Sequence, residues 1–238
     1  MRERICRAEI TVEQADLVNV SNGDDKAELV RRGVEESKIV VIPYGISRAR
    51  RPLFDAVSSE PPAQPVVAFV GTFDYRKGAR EFPQIAQAIV DAVPGVRFRL
   101  IGAKGLYKTE AEILAHFPQR LVPKIDLVLK FRPEELPHLL STCSIGVFPS
   151  YIEGFPFGVL EMLAASVPVV AYDAPGAPMM LPPEYLVGRA DWASLSSKAL
   201  CLLEDTSRLA QARIWAKKRS HNFSWKRSAE LTQDAYGY

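Results

Sequence analysis

Cysteine and histidine are scarce, three of each in 238 residues, which leaves little material for disulfide or metal staples. Cys6, Cys143 and Cys201 stand far apart, with no C-x-x-C pair and no histidine at ligand spacing. Neither a disulfide framework nor a zinc site is indicated, and reduced thiols in a cytoplasmic protein are the expectation. With no metal-ligating cluster in view, chemistry without a metal or other cofactor is expected. An excess of either charge is missing too: 30 basic and 28 acidic residues give +2, which predicts no nucleic-acid partner. No run approaches the roughly 18 apolar residues of a membrane span, and Met1 to Asp16 lacks a signal-peptide core. Repeats and low-complexity tracts are absent apart from the short Pro-rich Glu60 to Pro65.

What is present is an ordinary globular composition, 47% apolar and 24% charged, with room for one large α/β domain or a domain plus an appendage. Its most informative stretch is Ser150 to Ala165, SYIEGFPFGVLEMLAA, which carries Glu153 and Glu161 eight residues apart. Ile145 to Phe148 before it and Pro168 to Ala171 after it read as buried strands. Pro156 suits the first turn of a helix that runs through Leu163 until Ser166 and Pro168 stop it. The amides of Phe157, Gly158 and Val159 then face the loop as an anion site at the carboxyl edge of a parallel sheet, and Gly158 lets a ligand come close. Glu161 lies about 7 Å further along the helix at 1.5 Å per residue, a reach that suits a ribose beside a diphosphate. Glu153 stands on the other side of the phosphates, where a sugar would be. Glutamates also recur at this spacing on surface helices, so two solvated carboxylates are the bland alternative.

Earlier in the chain, Ala15 to Ser21 and Lys38 to Pro43 read as short strands flanking a Gly23 to Arg32 helix. Ser58 to Pro65 reads as a linker. Val66 to Val70 is an apolar strand leading into GTFDYRKG, Gly71 to Gly78, and a helix through Val90. This loop is neither a G-x-x-x-x-G-K-[ST] nor a G-x-G-x-x-G motif. It offers instead a strand-end glycine and two adjacent cations, Arg76 and Lys77, suited to a diphosphate. Strands follow at Val96 to Gly102, Ile125 to Lys130 and Tyr185 to Val187, with helices at Thr109 to Phe117, Glu134 to Leu140, Asp191 to Leu203, Ser207 to Arg219 and up to Tyr236. Trp192, Trp215 and Trp225 read as packing residues.

Together these letters resemble family-four retaining glycosyltransferases of the GT-B fold. The resemblance rests on S-x-x-E-G-F with Glu161 and P-V-V-A, on F-V-G with Lys77-Gly78, on the K-I-x-V-I-P-x-G segment, and on Phe223-Ser-Trp225. It implies a Rossmann-like parallel sheet flanked by helices over residues 53–238, the nucleotide-sugar-binding domain. Residues 1–52 would be a partial remnant of the first domain and the hinge. Transfer of a sugar from a nucleotide-diphosphate donor with retention follows, with Glu153 as the catalytic group. The donor would be held by Gly71, Thr72, Arg76, Lys77, Gly154, Phe155, Phe157, Gly158, Val159 and Glu161, with Phe131 or Arg132 bordering the base. Core packing and solvent are the other readings of Phe131 and Arg132. Thr72 stands where many members carry Arg, and Tyr44 where Asn is customary. The acceptor half has no counterpart, so a partner chain supplying it, a truncated gene, a fragment, or a binding module without transfer all stay open.

Overall fold

The computed structural model describes residues 9–237, so Cys6 and the first half of the Met1 to Asp16 stretch lie outside the described residues. Two parallel sheets follow one another. The first pairs β1 (Val18–Val20) with β2 (Ile39–Val41), Val18 opposite Ile39, across the Gly23–Arg31 helix. Asn22 caps that helix by accepting from the Asp25 amide at 2.8 Å, with Asp24 and Asp25 in its first turn, where the helix dipole favours negative charge. The second sheet comprises β3 (Val66–Val70), β4 (Arg97–Ile101), β5 (Ile125–Val128), β6 (Ile145–Phe148), β7 (Val169–Tyr172) and β8 (Leu186–Val187). Its order is β5-β4-β3-β6-β7-β8, every pair parallel.

The chain winds outward from β3 through β4 to β5, crosses back to β6 beside β3, and then winds the other way. At such a reversal the connecting loops diverge and leave a crevice at the strands' carboxyl ends. Val70 and Phe148 both end there, so the loop after β3 and the loop after β6 meet.

All residues of β3, β6 and β7 are buried, as continuous apolar strands must be when helices cover both faces. One face packs Phe69, Phe98 and Leu100 under the Phe82–Ala92 and Trp192–Leu203 helices. The other packs Phe148, Val159 and Leu163 with the Phe157–Ala164 and Thr206–Ser220 helices. Each fully buried side chain of this kind contributes about 1.5–3 kcal/mol.

Two straps bind the first sheet to the second. Ile46 bridges Ser224, its amide donates to the Phe223 carbonyl at 3.2 Å, and Ser228 Oγ donates to the Pro43 carbonyl at 2.6 Å. The Trp225–Tyr236 helix thus packs back onto the earlier lobe. Arg213, fully buried, donates to the carbonyls of Ser58, Ser59, Cys143 and Ser144. Burial lowers its pKa to about 10, and the start of the stretch read as a linker is pinned just beyond the Arg51–Asp55 helix.

Candidate functional site

The loop after β3 does not open straight into a helix, as its letters suggest. Asp74 accepts from the amides of Arg76 and Lys77 and from Thr72 Oγ1 at 2.8 Å, and so winds Tyr75–Lys77 into a single 3-10 turn. Burial pushes the Asp74 carboxyl up, but the Thr72 hydroxyl, the Arg76 cation and the Lys77 amide outweigh it, holding the group below its ordinary value. Gly78 then reverses the backbone at φ +80°, where an added Cβ would stand 2.4 Å from the Pro149 carbonyl oxygen. Only afterwards does the Phe82–Ala92 helix start. Arg76 is largely exposed and leans on Asp74 at 3.3 Å, whereas Lys77 turns inward over the Phe148 ring, 5.4 Å from its centroid. Gly71, at φ +146°, lies with its Cα side toward the Lys77 stem.

Across the crevice Lys77 Nζ pairs with Glu153 Oε1. Ser150 Oγ donates to that oxygen at 2.5 Å and also to the Arg76 carbonyl at 3.2 Å. The Tyr151 amide donates to the same carbonyl at 2.8 Å. Loop thus locks to loop, and the Glu153 side chain is only 9% exposed. Pro156 is the residue before the helix rather than its first member; the helix is Phe157–Ala164. This changes the expected anion site. The Phe157 amide donates to the Phe155 carbonyl at 2.9 Å and the Val159 amide to the Pro156 carbonyl at 3.0 Å. Among the described residues, Gly158 alone of the three keeps an amide without an acceptor. Its missing side chain makes room for β3, since a Cβ would sit 2.7 Å from the Val70 carbonyl oxygen, and not for a ligand.

One turn into the helix, Glu161 is mostly buried, and its Oε1 lies 2.8 Å from Arg50 Nη2. Burial raises the Glu161 carboxyl, and the Arg50 charge and hydrogen bond oppose that rise. Phe131 packs against the core with its ring edge 3.0 Å from where a Gly102 Cβ would be. Arg132 is exposed; its amide donates to Glu135 Oε2 at 2.8 Å and its guanidinium pairs with Glu135 Oε1 at 2.8 Å, and the amide first and the guanidinium second hold the Glu135 carboxyl below its ordinary value. Of the two candidates for the base, one is therefore packed and the other solvated.

Residues with no signal in the sequence complete the site. The Gly154 carbonyl accepts from Ser21 Oγ at 3.0 Å and from Asn22 Nδ2 at 2.5 Å, and Asp24 accepts from the Gly176 amide at 3.0 Å. Tyr44 lies against Phe157, centroids 5.7 Å apart, and edge-on to Phe155 at 5.4 Å. Trp225, expected as packing, is half exposed beside Tyr44. A cap at Asn22 is readable from N-G-D-D, but its reach to Gly154 is a tertiary contact that no local pattern announces. A cavity of about 990 Å³ lies beside β1 and β2 between Glu13, Asp25, Glu28 and Lys38, and none of its lining residues belongs to the predicted site. Among the described residues no group of three or more His, Cys, Asp or Glu is placed to hold a metal ion, and no helix is long and apolar enough to cross a membrane.

Comparison with known proteins identifies the family and the fold. The model of the family Glycosyl transferases group 1 matches residues 64–205. A D-inositol 3-phosphate glycosyltransferase of Nocardia farcinica is 25% identical over 242 residues, covering 94% of this chain and 53% of that protein. The chain thus spans about half the length of the curated relatives it matches. Sucrose-phosphate synthase from Thermosynechococcus elongatus superposes with a TM-score of 0.78 at 23% identity, over 99% of this chain and 61% of the other. HepE of Anabaena, solved with UDP-glucose, gives 0.74 at 18% identity, over 94% and 64%. The fold is that of GT-B glycosyltransferases, and the chain belongs to the group 1 glycosyl transferases.

Proposed function

We propose that this chain binds a nucleotide-diphosphate sugar in the β3/β6 crevice and transfers the sugar, with its anomeric configuration retained, to an acceptor held largely outside the chain. The observation that carries this reading is the meeting of Lys77 and Glu153 at the topological switch point, with the unpaired Gly158 amide on the adjoining helix and Glu161 one turn below. A diphosphate entering there competes with Glu153 for Lys77. Lys77, with Arg76 swinging from Asp74 and the Gly158 amide, then offsets the charge that grows on the leaving diphosphate. Gly71 and Thr72 line the phosphates, while Phe131 and Arg132 border the base. Glu161 accepts from ribose hydroxyls. Released from Lys77, Glu153 faces the donor sugar and stabilises cationic character at its anomeric carbon. Gly154 and Phe155 shape that loop, and Phe157 and Val159 set the helix end.

No metal or other cofactor enters this scheme, because the cations and amides named above meet the diphosphate charge themselves. A second chain supplying the acceptor half fits relatives about twice as long as this chain. A cytoplasmic setting fits the free thiols of Cys143 and Cys201.

The test is transfer to water. The chain, alone and mixed with a candidate partner chain, is incubated with UDP-, GDP- and ADP-sugars, and the configuration of the released sugar is read by proton NMR. An α-donor giving first an α-sugar, with Glu153→Gln reducing the rate at least a hundredfold on the scale of lost transition-state stabilisation, supports the reading. Release of the β-sugar, or a rate indifferent to Glu153, overturns it. Tight binding with no release under either condition would make the chain a donor-binding module.

A further inference from the structure

Arg50 has no part in the reading above, yet it is the cation that meets Glu161. Its Nη2 lies 2.8 Å from Glu161 Oε1 and also donates to the Pro133 carbonyl at 3.0 Å. The guanidinium rests 5.3 Å from the centroid of Phe54, which is fully buried. Arg50 stands at the start of the Arg51–Asp55 helix, where its amide donates to the Ser47 carbonyl at 3.1 Å. Backbone, stem and tip are all anchored. Its Nε is buried with no acceptor, and the two side chains are only 23% and 14% exposed. Desolvation on this scale is offset only while both charges are in place.

Two features give the pair a direction. First, it engages Oε1, and no hydrogen bond among the described residues occupies Glu161 Oε2. Second, Pro133 adjoins Arg132, on the loop assigned to the base, so one guanidinium ties that loop to the residue assigned to the ribose. Arginine's planar set of donors serves both acceptors at once, which a lysine's point charge does poorly.

We infer that Arg50 is a positioning residue for nucleoside recognition: it holds the Glu161 side chain in place through Oε1 so that Oε2 accepts a ribose hydroxyl, and it fixes the distance between ribose and base sites through Pro133. The inference rests on the donor-binding function proposed above. Because a carboxylate that is rotated or protonated no longer reads the hydroxyl, Arg50 governs how well a ribonucleotide is told from its deoxy counterpart.

The experiment titrates the 238-residue chain calorimetrically with UDP, GDP and ADP and with their 2′-deoxy forms, for wild type, Arg50→Lys, Arg50→Gln and Glu161→Gln. Folding of each is checked by near-ultraviolet circular dichroism. Wild type is expected to prefer one ribonucleotide over its deoxy form by about tenfold or more, the worth of a charge-assisted hydrogen bond. Arg50→Gln and Glu161→Gln bring that ratio close to one, and Arg50→Lys lies between. If Arg50→Gln does not fold, Arg50→Lys decides: a narrowed ratio supports the inference and an unchanged one overturns it. Equal weakening of both nucleotides, with the ratio intact, means Arg50 is merely structural and overturns the inference. A folded wild type that binds ribo and deoxy forms alike overturns the role of Arg50 while leaving the diphosphate site standing. A folded wild type that binds no nucleotide overturns both.

Discussion

Lys77 and Glu153 belong to different loops and hold each other at the crevice, so removing either should expose how much the site depends on the pair. Their side chains are 22% and 9% exposed. Breaking a fully buried pair by deleting one partner costs about 3–5 kcal/mol. Partial access of water to Lys77, and the Ser150 hydroxyl that stays on Glu153, lower this to about 2–3 kcal/mol for Lys77→Met. Methionine keeps the stem over Phe148. Glu153→Gln keeps an acceptor for Ser150 and should cost about 1–2 kcal/mol. The double variant leaves no orphaned charge, so it should be less destabilised than the sum by about 1.5–3 kcal/mol. Urea unfolding of the four proteins reads this coupling. Additivity within about 0.5 kcal/mol would refute the claim that the pair joins the loops. Binding should move in opposite directions: Lys77→Met weakens a nucleoside diphosphate, whereas Glu153→Gln frees Lys77 and removes a like charge. At an effective dielectric constant of about 20, one unit charge some 8 Å away is worth about 2 kcal/mol before screening, so tightening of about fivefold or more is expected.

Glu161 titrates upward in the fold, so the folded chain binds its proton more readily than the unfolded chain does. The stability of wild type relative to Glu161→Gln should therefore fall as pH rises from the ordinary 4.5 through the raised value and level off above it, which chemical denaturation across pH 4 to 8 will show, while a flat difference would contradict it. Asn22→Ala removes both the cap on the Asp25 amide and the donor to Gly154, and should destabilise by about 1–3 kcal/mol; Asn22→Ser should recover the capping share alone. Gly78→Ala forces a Cβ into the Pro149 carbonyl at positive φ and should cost about 2 kcal/mol or more, with a drop of several degrees in Tm; no change would place the turn elsewhere.

Much of the fold was legible because fully buried parallel strands have a simple signature. Val66–Val70, Ile145–Phe148 and Val169–Tyr172 are unbroken apolar runs, and the structure begins and ends them close to where the letters do. The last helices were placed within a residue or two, their exact starts being set by caps at Asp191, Asp205 and Ser224, each of which accepts from an amide three residues on. Local competition blurred the rest. After Gly71 the letters led through the loop directly into a helix, but Asp74 captures two amides and a hydroxyl and closes a 3-10 turn first. At Phe157 and Val159 the backbone spends its own donors inside the turn, which a count of free helix amides does not foresee. Long-range pairs were invisible. Nothing near Arg50 points to Glu161, and nothing near Asn22 points to Gly154, because these meetings exist only once both lobes are folded together.

The central claim is that the β3/β6 crevice is a nucleotide-sugar site built on Lys77, Gly158 and Glu161. The most direct test is calorimetric titration of the purified chain with UDP, GDP, ADP and their common sugar conjugates, beside Lys77→Ala and Glu161→Ala. The account predicts that one nucleotide binds to the wild type and that both variants lose that binding. A chain that is demonstrably folded yet binds none of these ligands at about millimolar concentration, the weak end of specific association, would contradict it.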